Sequence, residues 1–212
     1  MTNILRRPLR YRYFNATIIL IVINVLVFLL GFLGLQRRIQ VYFGLTPALV
    51  LQAGAWWQVV TYMFVHAGWW HIFFNMLTLF LFGIQLERRM GSPEFLLLYF
   101  VAGIGAGLFT LLFNTLTGQG VTNTVGASGA IYGLLLAFAA FFPDARIFAF
   151  GIIPMRAPIA VAVFAGLEIV SQFTGIMSGV AHLAHLSGLL FAWLYLVIHL
   201  GMRPFALFSR RR

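Results

Sequence analysis

Long, nearly uncharged apolar stretches alternate along this chain with short pieces that hold the arginines. Six stretches can be marked: Ala16–Leu35, His71–Leu86, Glu94–Leu116, Ser128–Phe142, Pro158–Ile176 and Val180–Met202. Their lack of charge identifies them, since a helix wetted by lipid has no need of a polar face. A helix crosses the hydrocarbon core with about 20 apolar residues. The pattern therefore predicts an all-α membrane protein of six transmembrane helices. Residues 16–202 form the membrane domain, 1–15 an amino-terminal segment and 203–212 a basic tail.

Composition strengthens this reading. Hydrophobic residues make up 62% of the 212 and charged residues 8%, where a soluble domain has about a quarter charged. So few charges cannot cover a water-facing surface, and lipid is the expected main solvent. The net charge is +10, and all 14 basic residues are arginine. Basic charge by itself fits nucleic acid, but its distribution here does not. It sits in clusters between spans, as orientation signals do. With the amino terminus inside, Arg6, Arg7, Arg10, Arg12, Arg88, Arg89, Arg146, Arg156, Arg203, Arg210, Arg211 and Arg212 are cytoplasmic, leaving only Arg37 and Arg38 outside. An even number of spans with both termini cytoplasmic is expected, in a prokaryotic inner membrane. The first stretch is too long for a signal-peptide core and ends on Gln36, Arg37 and Arg38 rather than a cleavage site, so it reads as an uncleaved helix. The chain has no cysteine, which excludes disulfides and thiolate chemistry.

Two connections stand out. The first outer loop, from Gln36 to Trp70, holds Trp56, Trp57, Trp69 and Trp70, and tryptophan favours the lipid–water interface. It is expected to lie in the outer leaflet, as an anchor or a docking surface. The polar loop Thr117–Val125 leads into the short stretch Ser128–Phe142, about 22 Å long as a helix against a core of about 30 Å. With its inner end at the cytoplasmic boundary, its outer end starts roughly 8 Å below the surface. Backbone at that depth is tolerated only where it lines protein or a wet cavity. A water-accessible depression with Ser128 at its floor follows.

Polar groups within spans are costly and point to function. Ser128 lies in Gly126-Ala127-Ser128-Gly129-Ala130 and opens a helix, where free backbone N–H groups can stabilise an oxyanion. The string differs from the G-x-S-x-G elbow because residue 130 is alanine. A serine needs a base, and His185 lies at a similar depth on the last stretch. Gly129 and Gly133 on one helix, with Ala184, Gly188 and Ala192 on the other, are spaced for close helix approach. His71 and Asn75 share a face of the second stretch and can donate toward an oxyanion, or bond each other or nearby backbone.

The strings His71-Ile72-Phe73-Phe74-Asn75, Gly126-Ala127-Ser128-Gly129 with Tyr132, and Ala184-His185-Leu186-Ser187-Gly188 resemble the motifs of the rhomboid family of intramembrane serine proteases. They fall in that order on the second, fourth and sixth stretches. Glu87-Arg88-Arg89-Met90-Gly91 is similar to the family's turn after the second helix, and the resemblance covers roughly Ala16 to Gly201. It implies a rhomboid-like six-helix bundle, with Ser128 as nucleophile and His185 as general base and acid. His71, Asn75 and the Ser128 N–H would form the oxyanion hole. Tyr132 would pack under the histidine, Gly126, Gly129 and Gly188 would support the site, and His66 would help order the first loop. It also implies substrates that are transmembrane helices of other membrane proteins, cut after a small residue near the outer face, with no cofactor and no metal. One departure is visible: Trp56-Trp57-Gln58 stands where many members carry Trp-Arg.

No acid obviously completes a triad. Glu87, Glu94 and Asp144 fall at the cytoplasmic side, and Glu168, the one acid at membrane depth, is expected to be structural or transport-related sooner than to orient His185. Two other readings stand beside the protease. One is an inactive rhomboid-like binder of transmembrane helices, which would need neither Ser128 nor His185. The other is a metal site or transporter lined by His66, His71, His182 and His185, which leaves Ser128 unexplained.

Overall fold

A computed structural model describes residues 8–149, 151–174 and 181–202. Helix α1 spans Ala16–Leu30 and runs on as a single 3-10 turn, Gly31–Leu33, before Gly34 at φ 79° ends it. The first outer loop is itself folded. It forms α2 (Gln36–Phe43), α3 (Pro47–Ala53) and α4 (Gln58–Thr61). The second span is α5 (Trp69–Thr78), a π-helical turn at Leu79–Gly83 and α6 (Ile84–Met90). Helix α7 spans Ser92–Leu116 and α8 Ser128–Phe141. Strands β1 (Arg146–Ala149) and β2 (Ile153–Arg156) precede α9 (Ala157–Thr174), and α10 covers His182–Ile198.

The helical membrane bundle is as expected, and one connection adds a short hairpin. β1 and β2 form an antiparallel hairpin with Arg146 opposite Arg156, and Arg156 also bonds the Asp144 carboxylate at 2.7 Å. Among the described residues, four helices are long and apolar enough to cross a membrane, and α8 and α10 are shorter apolar helices. The protein is an integral, multi-pass membrane protein of helical type. The expected ends of the fifth and sixth stretches at Ile176 and Val180, and the tail from Arg203, lie outside the described residues.

Small residues build the centre, where α7, α8 and α10 meet. A Cβ on Gly133 would meet Ala102 of α7 and Ala192 of α10, and one on Gly188 would strike the Gly129 carbonyl oxygen. Between helices that lipid solvates as well as leucine does, such close backbone contact drives association. At the opposite end from Ser128, Glu87 accepts the N–H groups of Ala16 and Thr17 at 2.6 and 2.9 Å, and the Ser92 hydroxyl at 2.5 Å. A carboxylate from the second span therefore caps the first turn of α1, where free N–H groups and the helix dipole favour negative charge.

The first outer loop fastens the approach to Ser128. Leu45 and Thr124 exchange two backbone hydrogen bonds of 2.9 Å, and Ala48 N–H donates to the Gly120 carbonyl at 2.8 Å. The Asn123 amide donates to the Gln40 carbonyl and the Thr46 hydroxyl. Gln58, at the departure from Trp-Arg, is buried and cross-links the loop. Its Oε1 accepts Thr46 N–H at 3.0 Å, and its Nε2 donates to the carbonyls of Val41 and Tyr42. The tryptophans Trp56, Trp57, Trp69 and Trp70 are all exposed, as lipid-facing anchors would be.

Candidate active site

The turn before α8 begins at Gly126, whose φ of 123° is one that a side chain rarely permits. Its N–H donates to the Tyr62 carbonyl at 2.9 Å, so the first loop sets where the turn lies. Tyr62 itself is buried and donates its hydroxyl to the Gly103 carbonyl of α7 at 2.6 Å. Ala127 is the N-cap residue, and no side chain caps the helix. The first N–H groups of α8 accordingly lack intrahelical partners next to Ser128.

Ser128 is half-buried and its Oγ lies 2.7 Å from Nε2 of His185 on α10. The contact follows from the seam of small residues. With Gly188 against the Gly129 carbonyl, the two helices come close enough for a short serine and a histidine three residues before Gly188 to meet. The Tyr132 ring, one turn along α8, stacks on His185 with centroids 4.3 Å apart and planes 7° from parallel.

His71 and Asn75 both lie on α5, with different local partners. His71 Nδ1 accepts Ala67 N–H at 3.3 Å, which puts the ring proton on Nε2. The space beside that nitrogen is open because residue 126 is glycine. A Cβ there would sit 2.7 Å from His71 Nε2 and 3.6 Å from Ser128 Oγ. Asn75 turns one amide hydrogen to the His71 carbonyl at 2.7 Å, the local backbone bond that was the alternative to an oxyanion role. His66 is buried and packs edge-on against His71 at 5.1 Å between centroids.

Glu168 is the residue that sequence reasoning undervalued. Its carboxylate on α9 faces three donors. His185 Nδ1 lies 2.9 Å from Oε1, His182 Nδ1 lies 2.5 Å from Oε2, and the Tyr132 hydroxyl donates to Oε1. The signal for it was its solitude, as the one acid at membrane depth on a chain whose last helix opens with two histidines three apart. Among the described residues, Glu168, His182 and His185 have ligand atoms within 4.8 Å of one another and could hold a metal ion. They differ from the expected set, for His66 and His71 are not among them. Each of the three ligand groups is already engaged in the hydrogen bonds just described.

A family model described as the Rhomboid domain matches residues 53–201. The RHOMBOID-like protein 1 of Arabidopsis thaliana is 40% identical over 91 residues, covering 43% of this chain and 22% of that protein. The Rhomboid protease GluP of Bacillus subtilis is 37% identical over 95 residues, 45% of this chain and 18% of its own length. The Rhomboid protease AarA of Providencia stuartii is 28% identical over 165 residues, 70% of this chain and 57% of that protein. The chain thus spans less than two thirds of each of these relatives.

Proposed function

Since the chain belongs to the rhomboid family, we propose that it is an intramembrane serine endopeptidase that cleaves transmembrane segments of other membrane proteins. The observation that carries this reading is the 2.7 Å contact between Ser128 Oγ and His185 Nε2, at the uncapped start of α8. Two relatives named as rhomboid proteases support it.

In this mechanism His185 Nε2 takes the Ser128 hydroxyl proton as Oγ attacks the scissile carbonyl. The oxyanion forms beside Gly126, stabilised by the Ser128 N–H, the His71 Nε2–H and the second amide hydrogen of Asn75. His185 then gives its proton to the leaving amine. Water, deprotonated by the same nitrogen, releases the acyl chain and restores Ser128. No cofactor enters. The arginine distribution supports an orientation with both termini cytoplasmic.

The test is reconstitution of the purified protein with a type I transmembrane substrate carrying small residues near its outer end. Cleavage by wild type, its loss in folded Ser128→Ala and in His185→Ala, and fluorophosphonate labelling of Ser128 are the expected results. Undiminished cleavage by Ser128→Ala would falsify the assignment, and a wild type that binds the substrate without cutting leaves the binder reading in its place. Within the same assay His71→Ala and Asn75→Ala should each lower kcat about tenfold with little change in KM, because each removes one of several oxyanion donors. Normal kcat in the folded double variant removes both from the mechanism.

A further inference from the structure

A serine–histidine pair leaves open what holds the histidine in the tautomer that can accept a proton. We infer that Glu168 is a positioning residue that completes a Ser128–His185–Glu168 triad, with His182 and Tyr132 fixing its carboxylate. The inference rests on the serine-protease reading above.

Glu168 Oε1 lies 2.9 Å from His185 Nδ1, and the opposite nitrogen of the same ring lies 2.7 Å from Ser128 Oγ. An ionised carboxylate only accepts hydrogen bonds, so Nδ1 carries the hydrogen and the Nε2 lone pair faces the serine. That is the form a general base needs. When the Ser128 proton reaches Nε2, the ring becomes a cation next to a carboxylate in an apolar bundle, where such a pair interacts strongly. The proton stays on His185 until the leaving amine takes it, and Glu168 remains ionised throughout.

The surroundings of Glu168 fit that role better than a simple tie between helices. A carboxylate linking α8, α9 and α10 could meet donors anywhere along them. This one meets the ring that bonds Ser128 and the tyrosine that stacks on that ring, both through Oε1. Its other oxygen is held by His182 Nδ1 at 2.5 Å, which prevents the carboxylate from turning away from His185. Glu168, His182 and His185 are all buried, so water does not compete for these bonds. His182 acts one step further back, through the Glu168 carboxylate.

The test compares wild type with Glu168→Gln, which keeps size and removes charge. Gln can also turn its NH₂ toward Nδ1 and impose the wrong tautomer. Expected are a fall of about 10²–10⁴ in kcat and in the rate of fluorophosphonate labelling at Ser128, with KM unchanged. A folded Glu168→Gln protein that labels and cleaves at the wild-type rate overturns the inference, even if its unfolding midpoint drops, because that is the outcome of a purely structural tie. A second measurement needs no variant at residue 168. In wild type labelled with ¹⁵N-histidine, neutral His185, assigned by its loss in His185→Ala, should carry its hydrogen on Nδ1. Hydrogen on Nε2 overturns the inference whether or not Glu168→Gln folds. A wild type that neither labels nor cleaves sinks the serine-protease reading instead, and the tautomer still decides what Glu168 does to the ring.

Discussion

His66 shows how a single buried ring couples to the stability of the site. Burial pushes its pKa down to about 3, and His71 beside it adds a smaller repulsion between like charges. The unfolded chain binds a proton near the ordinary value of 6.5, whereas the folded chain does not until far lower pH. The neutral ring therefore contributes stability that is fully present above pH 6.5 and is lost as pH falls toward 3. The loss should reach about 1.4 kcal/mol for each pH unit in that window. Unfolding midpoints in detergent should fall between pH 7 and pH 5, and His66→Phe should flatten that slope. An unchanged slope in the variant assigns the acid sensitivity to other groups. His66 belongs to the loop that holds Gly126, so the same acid range should loosen the approach to Ser128.

At the scale of elements, two devices hold helices in place. One is the Glu87 carboxylate on the first turn of α1, a cap supplied from the second span instead of from the chain next to the helix. The other is the seam between α8 and α10. Gly188→Ala puts a methyl group onto the Gly129 carbonyl oxygen, a backbone atom with no rotamer to yield. The helices must separate, which should cost about 1–3 kcal/mol. Labelling of Ser128 should drop as well, because the serine and histidine are carried apart. Gly166→Ala on α9 is the matched control, since a Cβ there meets nothing within 4 Å. It should leave labelling unchanged. Equal behaviour of the two variants in unfolding and labelling would mean that the seam does not set the Ser128–His185 contact.

The whole molecule places its chemistry by dividing work between solvents. Exposed aliphatic and aromatic side chains cover α1 and α5, while the polar groups of the site face inward among α8, α9 and α10. The first outer loop, with its exposed tryptophans, sits over the turn at Gly126 and bonds it directly. On the proposed orientation that loop is outside and the β1–β2 hairpin, with its arginines, is inside. Protease tags at either terminus of the protein in intact cells should resist external protease and be cut after permeabilisation. External cleavage of a carboxy-terminal tag alone would require an odd number of spans and end the six-span description.

The sequence by itself determined the solvent and the number and order of apolar segments, and it made His185 a candidate partner of Ser128 by depth. Those follow from one-dimensional facts: gaps in charge, the length a bilayer demands, and small residues four apart. Tyr132 under the histidine was legible only through the resemblance to the rhomboid motifs, and the stacked rings agree with it. The tertiary structure alone decided the partner of His185 Nδ1. Whether Glu168 reaches that nitrogen depends on how α9 is rotated about its axis, and in a membrane this rotation is weakly written, because lipid and neighbouring helices are both apolar. It likewise decided that Gln58 and Asn123 bind the outer loops together and that Asn75 spends one amide hydrogen on its own helix. Such contacts join residues far apart in the chain or compete among equal partners, and only the packed bundle settles which of them forms.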